Sequence, residues 1–535
     1  MNAIQRERAV RPAYAEQYSD LTSLFNDAVR AHSADIAFRT KHGEFSFAQV
    51  QDLVQRVAQG LRTAGVAVAG RVAALTRHIA ETSILTLAAA RIGAVCCPLN
   101  WRLSPQEIAQ ILQDSEATFL MVDEEFFGAI ETIGLSASIE VVLTLAGTSA
   151  SARPGFREWA QRHAPSAQIH TAARDDTALQ LYSSGTTGLP KGIELSNSNM
   201  LHAIDLAISE FGFDAPRTVI LHALPTFHIA GMGLALSSLC SGATAIVYAE
   251  FVPDDVIDSF GRHGVTHTFL VPSMIQLLLQ RPRAAQGDYK TLQMIGYGAS
   301  PITESVLVEA MRVFKCGLTQ VYGLTETSGM VVALSPADHD PSGPRAHLLR
   351  SAGRALPGTR LQVVDPETSQ PLPDGEIGEI WIHSRLNMLR YWRNPKATAE
   401  AYPQGLEDGV GWFRSGDAGY LENGYLYIKD RIKDMIISGG ENVYPIEIEN
   451  ALMKHPDVQD CAVIGVDDPV WGESVMACVV PRPGHAPSSE DLIAFCRSKI
   501  AHYKSPRKVA FLETLPRNPS GKLLKNVLRE QFRAS

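Results

Sequence analysis

The chain has 535 residues, which is enough for several domain-sized units with apolar cores of their own. Hydrophobic residues make up 45% and charged residues 20%, and these ordinary globular values exclude a disordered or fibrous chain. The net charge of −9, without a basic block, gives no indication of nucleic-acid binding.

No part of the sequence is typical of export or of membrane insertion. The first residues, MNAIQRERAVRPAYAEQYSD, lack the apolar core of a signal peptide. The most apolar stretches are interrupted by Arg91 in one case and by His222, Pro225 and His228 in the other, so we predict that they are buried core segments. Seven scattered cysteines without metal-binding spacing argue against disulfides or zinc. We therefore expect a cytoplasmic protein with no transmembrane segment.

Strand-like and helix-like runs alternate along the chain as far as Gly358. The predicted strands are VAALT, TFLMVD, VVLTL, HTFLVP and LQMIGYG. The predicted helices are FAQVQDLVQRVAQGLRTAG, SPQEIAQILQDS and ITESVLVEAMRVF. This alternation predicts α/β subdomains with largely parallel sheets.

The pattern changes after Gly358 and again at Lys433. The middle part contains the short strands LQVVD, GEIWIHS, GYLE and YLYIKD, with a hairpin predicted at Asn423-Gly424. The last part combines a helix that has Pro445 near its first turn, the strands CAVIGV and VMACVVP, and a helix capped from Ser488. We therefore predict an α/β protein in which residues 1–432 form a large N-terminal domain with a β-rich subdomain. Residues 433–535 are predicted to form a small α+β C-terminal domain.

A glycine-rich segment, YSSGTTGLPKG, occupies residues 182–192. Its glycine amides, the hydroxyls of Thr186 and Thr187, and the cationic Lys191 are suited to binding a polyphosphate. The segment is not a Walker A loop, because no Gly-Lys-Ser/Thr follows at the required spacing and GIELS is typical of a strand. A plain hairpin connection is the alternative, and the adjacent hydroxyls and the lysine favour phosphate binding.

Further motifs follow this segment in order: PTFHIAG, GYGASP, VYGLTETSG, WFRSGDAGYLENGYLYIKDRIKDMIISGGENVYPIEIE and PRNPSGKLLK. Together they resemble the adenylate-forming superfamily, which contains acyl-CoA and aryl-CoA synthetases, firefly luciferase and the adenylation domains of peptide synthetases. The resemblance spans most of the chain. It implies that a carboxylic acid reacts with ATP to give an acyl-adenylate and pyrophosphate, and that the acyl group then passes to coenzyme A.

The resemblance also implies roles for residues around the ATP phosphates. Thr186, Thr187 and Lys191 match the residues that bind the β- and γ-phosphates. Thr325 matches the contact to the α-phosphate, and Glu326 matches the ligand of Mg²⁺. A carboxylate is the hard oxygen ligand that this ion prefers.

A second group of residues matches the nucleoside site of the family. Gly298 and Ala299 match the segment that lines the adenine and the acyl pocket, and Tyr322 matches the residue that stacks on the base. Asp417 matches the acid that accepts hydrogen bonds from the ribose hydroxyls, and Arg431 matches their second contact. Outside the family pattern, such an Asp or Arg would be interpreted as a solvated charge.

The C-terminal part carries the residues that the resemblance assigns to the two half-reactions. Lys522 matches the adenylation lysine, which reaches the attacking carboxylate and the α-phosphate. Lys433 matches the hinge at which the small, mobile domain rotates. Gly439, Gly440 and Glu441 match the segment that the rotation brings to the channel of the coenzyme A thiol. No Gly-x-Ser-x-Gly nucleophile motif is present in the sequence.

The nature of the acid is inferred from the PTFHIAG segment. His228 matches the aromatic residue at the pocket mouth, and its neighbours include no carboxylate that would hold a substrate amine, so a neutral acid is favoured. Gly231, Gly233 and Gly298 are expected to leave room for a chain. The YGASPI segment resembles bacterial fatty acid CoA ligases, which favours a medium- or long-chain fatty acid over an aryl acid such as a coumarate or benzoate.

Three other functions share these motifs: a luciferase-like oxygenase, a ligase that loads a carrier protein, and a non-catalytic nucleotide-binding module. The last is disfavoured because Lys522, Glu326, Asp417 and Arg431 are all present. The sequence leaves open the chain length of the acid, peripheral membrane association, and whether the protein is a monomer or a homodimer.

Overall fold

The computed structural model describes residues 14–132, 134, 139–145, 153–183, 190–213, 217–438, 441–468, 471–517 and 523–532. The strands in these ranges are β1 (Ile36–Thr40), β2 (Gly43–Ser46), β3 (Arg71–Leu75), β4 (Val95–Pro98), β5 (Ala117–Val122), β6 (Glu140–Leu143), β7 (Thr177–Ser183), β8 (Lys191–Ser196), β9 (Val219–His222), β10 (Thr244–Val247), β11 (His267–Leu270), β12 (Met294–Gly298), β13 (Gly317–Tyr322), β14 (Val332–Leu334), β15 (Arg354–Ala355), β16 (Thr359–Val364), β17 (Gly378–Ser384), β18 (Arg390–Tyr391), β19 (Trp412–Glu422), β20 (Tyr425–Arg431), β21 (Ile436–Ser438), β22 (Glu441–Val443), β23 (Val458–Asp468), β24 (Gly472–Pro481) and β25 (Lys508–Phe511).

The helices in the same ranges are α1 (Tyr14–Gln17), α2 (Leu21–His32), α3 (Phe47–Thr63), α4 (Ile79–Arg91), α5 (Pro105–Ser115), α6 (Glu124–Thr132), α7 (Phe156–Gln161), α8 (Asn197–Phe211), α9 (Ile229–Ser241), α10 (Pro253–Arg262), α11 (Pro272–Leu279), α12 (Glu304–Phe314), α13 (Pro395–Ala401), α14 (Pro445–Leu452), α15 (Ser489–Arg497) and α16 (Lys525–Phe532).

Local sequence signals determine where several of these helices begin. α3 starts after Ser46, which forms a capping box with Gln49, and α5 starts after Ser104, which forms one with Glu107. In each box the two side chains satisfy backbone donors that the first helical turn leaves without partners. The three helices predicted in the first part of the chain are confirmed as α3, α5 and α12.

Two large mixed sheets form the main body of the structure. One has the strand order β15-β14-β13-β12-β11-β9-β10-β1-β2, and the other has the order β18-β8-β7-β4-β3-β5-β6. Their central strands are parallel, as predicted, and antiparallel pairs such as β7–β8, β13–β14 and β1–β2 occur toward the edges. The buried helix α4 connects β3 to β4 of the seven-stranded sheet, and the buried helix α9 connects β9 to β10 of the nine-stranded sheet. These two helices pack against each other, so the core lies between the two sheets.

The two apolar stretches that we predicted to be core segments are buried inside this body. The stretch that is interrupted by His222, Pro225 and His228 forms β9, α9 and β10. None of the helices in the described ranges is both long and apolar enough to cross a membrane. All seven cysteines are unpaired thiols, and six of them are buried.

The β-rich part that follows is the antiparallel sheet β16-β17-β19-β20. Asn423 and Gly424 connect β19 to β20 and have φ angles of 52° and 77°. Positive φ at both central residues is the geometry of a tight hairpin turn, so this prediction is confirmed.

The last unit, which begins with β21, has an α+β fold, as predicted. Its sheet has the order β22-β21-β24-β23, with β25 paired to β24. The two apolar clusters of this unit are built from residues between Ile436 and Phe532, so its core is distinct from that of the main body. The position of the domain boundary at residue 433 stays a prediction; a short 3₁₀ turn, Ile432–Asp434, lies there.

Candidate active site

Parallel strands of the nine-stranded sheet bring several motifs to one edge. β9, β11, β12 and β13 are mutually parallel, so their carboxyl ends lie side by side. β12 ends at Gly298, which pairs with Val321 near the end of β13, and the segment that contains His228 follows β9. In open α/β sheets, ligands bind in the crevice outside the carboxyl ends of the strands, and the candidate site lies at this edge.

The backbone at the end of β12 is closely packed and locally strained. A Cβ atom on Gly298 would lie 2.3 Å from the carbonyl oxygen of Val321, so this position requires glycine. The next residue, Ala299, has a φ of 66°, which is uncommon for a residue other than glycine. Strain of this kind concentrates at ligand-binding sites, and it falls within the GYGASP motif.

Asp417, Arg431 and Tyr322 come together as one cluster. Asp417 on β19 pairs in register with Arg431 on β20. The Arg431 Nε lies 2.6 Å from Asp417 Oδ1, and the Tyr322 hydroxyl donates a 2.7 Å hydrogen bond to Asp417 Oδ2. The buried Asp417 carboxylate raises the pKa of the Arg431 guanidinium, and burial together with Asp417 raises the pKa of Tyr322. Both groups therefore keep their protons at neutral pH and hold the carboxylate in place.

A second cluster forms around Glu326, in the 3₁₀ turn that follows β13. The hydroxyl of Tyr391 donates a 3.0 Å hydrogen bond to Glu326 Oε1. The Lys191 Nζ atom lies over the Tyr391 ring, 4.9 Å from its centroid. Burial and the Glu326 carboxylate raise the pKa of Tyr391, so its hydroxyl stays protonated. Thr325 is half-buried next to Glu326 in the same turn.

Tyr391 is a residue that the sequence analysis missed. It lies in a two-residue strand, β18, whose antiparallel pairing with β8 sets Tyr391 opposite Ile193 and so brings its ring under Lys191. The LRYWRNP stretch around it has neither an obvious period nor a charge pattern that singles it out. Only its long-range pairing with β8 could have identified it.

His228 lies at the N-terminus of α9, where it is the residue that precedes the first helical turn. Burial, and to a lesser extent the charge of Arg102, lower its pKa to about 4, so the imidazole is neutral at neutral pH. Its Nε2 atom is buried and has no hydrogen-bond partner in the part of the chain that the structure describes. A buried nitrogen without a partner is costly, which is consistent with a position that a bound ligand completes.

The structure corrects the expectation that Gly231 and Gly298 leave room for the acid. A Cβ atom on Gly231 would lie 2.1 Å from the carbonyl oxygen of Pro225, and the corresponding distance at Gly298 is the 2.3 Å contact to Val321. Glycine is therefore required at both positions because neighbouring backbone leaves no space for a side chain. At Gly233, in contrast, a Cβ atom would meet no heavy atom within 4 Å. Of the three glycines, Gly233 alone borders open space.

We therefore expect substitutions at Gly231 and Gly233 to differ in kind. Gly231→Ala should destabilise the protein by about 1–3 kcal/mol, because an added methyl group would overlap fixed backbone. Gly233→Ala should fold at least as well as the natural chain, since alanine is favoured over glycine within a helix. Urea unfolding of the two variants measures this difference.

A larger substitution at Gly233 tests whether this residue borders the expected acyl channel. If Gly233 borders that channel, Gly233→Leu should favour shorter acids over longer ones. An unchanged chain-length profile in Gly233→Leu would place the channel elsewhere.

Several of the predicted site residues lie outside the described residues, namely Thr186, Thr187, Gly439, Gly440 and Lys522. The strands on either side of the phosphate-loop segment are described: β7 and β8 are antiparallel, with Ser183 opposite Lys191. GIELS therefore forms a strand, as predicted, and not a helix. Lys433 lies in the 3₁₀ turn Ile432–Asp434, and Glu441 is the first residue of β22.

Comparison with known proteins identifies the family. Residues 25–392 match the model of the AMP-binding enzymes, and residues 447–522 match the model of the AMP-binding enzyme C-terminal domain. The chain is a member of this family of adenylate-forming enzymes. It is therefore an ATP-dependent, AMP-forming acid–thiol ligase that produces an acyl-adenylate.

Individual relatives differ in the acids named for them. The chain is 38% identical over 493 residues, or 91% of each chain, to a fatty acid–[acyl-carrier-protein] ligase, ScoC, of Streptomyces coeruleorubidus. It is 35% identical to an indoleacetate–CoA ligase of Aromatoleum aromaticum, over 92% of this chain and 94% of the relative. The crystal structure of ATP-bound MatB from Rhodopseudomonas palustris superposes with a TM-score of 0.86 and 31% identity, covering 96% of this chain and 99% of MatB.

Proposed function

We propose that this enzyme is a cytoplasmic acyl-CoA synthetase that activates a medium- or long-chain fatty acid. The observation that carries the ATP-dependent part of the proposal is the proximity of two side-chain clusters, since the pKa of Arg431 in one cluster is raised by Asp417 and also by the charge of Glu326 in the other. Asp417, Arg431 and Tyr322 form the first cluster, and Glu326, Tyr391 and Lys191 form the second. The first cluster supplies a fixed carboxylate, which suits the ribose hydroxyls of a nucleoside triphosphate. The second supplies a cation and a carboxylate, which suit its phosphates and their metal ion.

We assign the nucleoside to the first cluster. Asp417 accepts hydrogen bonds from the ribose hydroxyls, and Arg431 makes the second contact to the ribose. The Arg431 ion pair supports this assignment because it fixes the orientation of the Asp417 carboxylate. The ring of Tyr322, anchored through its hydroxyl, stacks on the adenine, while Gly298 and Ala299 line the other side of the base.

We assign the phosphates to the second cluster. Lys191, with Thr186 and Thr187, binds the β- and γ-phosphates, Thr325 contacts the α-phosphate, and Glu326 binds Mg²⁺. The described residues contain no group of three or more His, Cys, Asp or Glu side chains that would hold a metal by themselves. One carboxylate with substrate phosphates and water is the usual environment of Mg²⁺, so Glu326 fits this ion. When bound, the ion neutralises charge on the phosphate oxygens.

Lys522 serves the first chemical step. The carboxylate of the acid attacks the α-phosphorus, the bond to pyrophosphate breaks, and negative charge develops on the phosphoryl oxygens. A positioned ammonium group stabilises that charge more in the transition state than in the ground state. In the second step the small domain rotates at Lys433, and Gly439, Gly440 and Glu441 line the approach of coenzyme A. The thiol loses its proton and attacks the acyl carbonyl, and AMP leaves.

The mouth of the proposed pocket favours a carboxylic acid that has an apolar tail and no second charged group. His228 is uncharged there because of its lowered pKa, and the preceding Phe227 is buried against it, with ring centroids 4.5 Å apart. Gly233 on the apolar helix α9 borders the open space that would receive the tail. Each buried methylene group contributes about 0.8 kcal/mol, so affinity should rise about fourfold per carbon until the pocket is filled.

A panel of acids tests this specificity. Pyrophosphate release should be compared for hexanoate, octanoate, dodecanoate, hexadecanoate, benzoate, 4-coumarate and indoleacetate, each with coenzyme A present. We expect kcat/KM to rise along the fatty acid series and to exceed that of every aryl acid. A higher kcat/KM for an aryl acid than for any fatty acid would contradict the proposed substrate.

Two alternatives are each favoured by some of the relatives. The similarity to an indoleacetate–CoA ligase favours an aryl acid, which the same panel tests. The similarity to a fatty acid–[acyl-carrier-protein] ligase favours a carrier protein as the acceptor. Offering coenzyme A and a phosphopantetheinylated carrier protein separately decides between the acceptors, and we expect coenzyme A to be used at the higher rate.

If residue 433 is the hinge, proline at this position should affect the rates of the two half-reactions unequally. Lys433→Pro restricts φ to near −65° and should penalise one of the two domain orientations. We therefore expect one half-reaction to slow much more than the other. Lys433→Ala is the matched control, because it removes the side chain and leaves the backbone free. Wild-type rates of both half-reactions in Lys433→Pro would place the hinge elsewhere.

A further inference from the structure

The carboxylate of Glu326 is oriented by a single hydroxyl group. Tyr391 donates to Glu326 Oε1 at 3.0 Å, and no other hydrogen bond reaches this carboxylate from within the described ranges. The main chain of Glu326 is held separately, since its carbonyl oxygen accepts a 2.7 Å hydrogen bond from the Met388 amide. The contact from Tyr391 therefore determines which carboxylate oxygen is presented to a ligand.

Tyr391 is itself fixed to the strand that begins with Lys191. Its amide donates a 3.0 Å hydrogen bond to the hydroxyl of Thr398, and the preceding Arg390 places Nε 2.6 Å from Glu194 Oε2 on β8. Glu194 has a side-chain exposure of only 1% and also receives the Arg71 guanidinium at 2.8 Å. This network, anchored on the buried Glu194, ties β18 to β8 together with their backbone pairing, so it holds Tyr391 close to Lys191.

The Tyr391 ring also lies between two opposite charges. The ammonium group of Lys191 contacts the ring, while Glu326 is bonded to the hydroxyl. No ion pair joins Lys191 to Glu326 in the part of the chain described by the structure. A direct pair would neutralise both charges, whereas a cation over an aromatic face keeps its charge available to a phosphate.

We propose that Tyr391 is a positioning residue that presents the Glu326 carboxylate to the magnesium ion of ATP and keeps Lys191 from pairing with that carboxylate. This inference rests on the assignment of Glu326 and Lys191 to magnesium and phosphate in the proposed function. Tyr391 touches neither the acid nor the α-phosphate in this role. Its effect should therefore be seen in the binding of the metal–nucleotide complex.

Calorimetric titration of the full chain with ATP tests this role in the absence of turnover. The affinity for ATP is measured once with Mg²⁺ and once with EDTA, and the ratio of the two affinities gives the enhancement by magnesium. Tyr391→Phe keeps the ring under Lys191 and removes the hydroxyl. We expect it to reduce the enhancement by about tenfold, as for the loss of a hydrogen bond to a charged group, and to leave the affinity in EDTA unchanged.

Two further variants distinguish this role from a general effect. Tyr289→Phe removes a half-buried hydroxyl that donates to the Ala284 carbonyl at 2.8 Å, away from the site, and should leave both affinities unchanged. Tyr391→Leu removes the ring as well and should weaken ATP binding in EDTA, because Lys191 is then free to pair with Glu326.

The outcomes separate this inference from the proposed function. A normal magnesium enhancement in Tyr391→Phe, together with its loss in Glu326→Gln, would overturn the role of Tyr391 alone. A normal enhancement in Glu326→Gln would overturn the magnesium assignment and the inference with it. Equal losses of affinity with and without magnesium in Tyr391→Phe would show a merely structural role and would also overturn the inference.

Discussion

Lys522→Ala is expected to slow acyl-adenylate formation by about a hundred- to a thousandfold, as is typical when one electrostatic donor to a transition state is removed. Thioester formation from a supplied acyl-adenylate and coenzyme A should continue at close to the normal rate. In the proposed mechanism the lysine stabilises charge only while the α-phosphate reacts, and it then leaves with the rotating domain. ATP–pyrophosphate exchange and thioester formation should be measured on the same folded protein.

The described residues on either side of the segment that contains Lys522 belong to the small C-terminal unit. Arg517 and Leu523 form an antiparallel bridge, and Arg517 also pairs with Asp460 at 2.7 Å. Lys508→Ala is the matched control, because Lys508 is an exposed lysine on the edge strand β25 of the same unit. It should leave both half-reactions unchanged.

Two results would contradict the role of Lys522. Normal rates of both half-reactions in Lys522→Ala would show that the residue is an ordinary surface lysine. Loss of both would show that Lys522 also serves the coenzyme A step, and would question whether the small domain swings away at all.

Asp417→Ala is expected to weaken ATP binding by about a hundredfold or more, because the ribose hydroxyls would lose hydrogen bonds to a charged acceptor. The free energy of unfolding should also fall, by about 3 kcal/mol, since Arg431 and Tyr322 would lose the carboxylate that they bond. Calorimetric titration with ATP measures the first effect, and urea unfolding measures the second.

A second substitution separates the two effects of Asp417→Ala. The double variant Asp417→Ala/Arg431→Met removes the charge that Asp417→Ala leaves unpaired, so it should recover part of the lost stability. It should not recover ATP binding. If Asp417→Ala were destabilised but bound ATP normally, the ion pair would be structural and the ribose would bind elsewhere.

Features of the fold that depend on neighbouring residues could be predicted from the sequence. The helix cap at Ser488 acts within one helical turn, and the hairpin at Asn423-Gly424 depends on two residues that tolerate positive φ. The parallel strands at the centres of the large sheets could also be predicted, because the alternation of helices and strands is visible along the sequence. Such signals need no knowledge of which distant segments meet.

Features that depend on distant segments could not be predicted in the same way. The hydrogen bond from Tyr391 to Glu326 joins residues 65 positions apart, and it requires the pairing of β18 with β8. The tight packing of Gly231 depends on the backbone of Pro225, so its sequence context alone suggested free space. The proximity of Asp417 and Arg431 was implied only by the resemblance to the family, because their register becomes defined when β19 and β20 pair.

The most direct test of the proposed activity follows both products in one incubation. Purified enzyme is mixed with ATP, Mg²⁺ and dodecanoate, coenzyme A is added later, and dodecanoyl-adenylate and dodecanoyl-CoA are quantified by mass spectrometry. We predict that the adenylate and pyrophosphate form before coenzyme A is added, and that the adenylate is then converted into equal amounts of dodecanoyl-CoA and AMP. An adenylate that persists after coenzyme A is added, or formation of ADP in place of AMP, would contradict the assignment of this enzyme as an acyl-CoA synthetase.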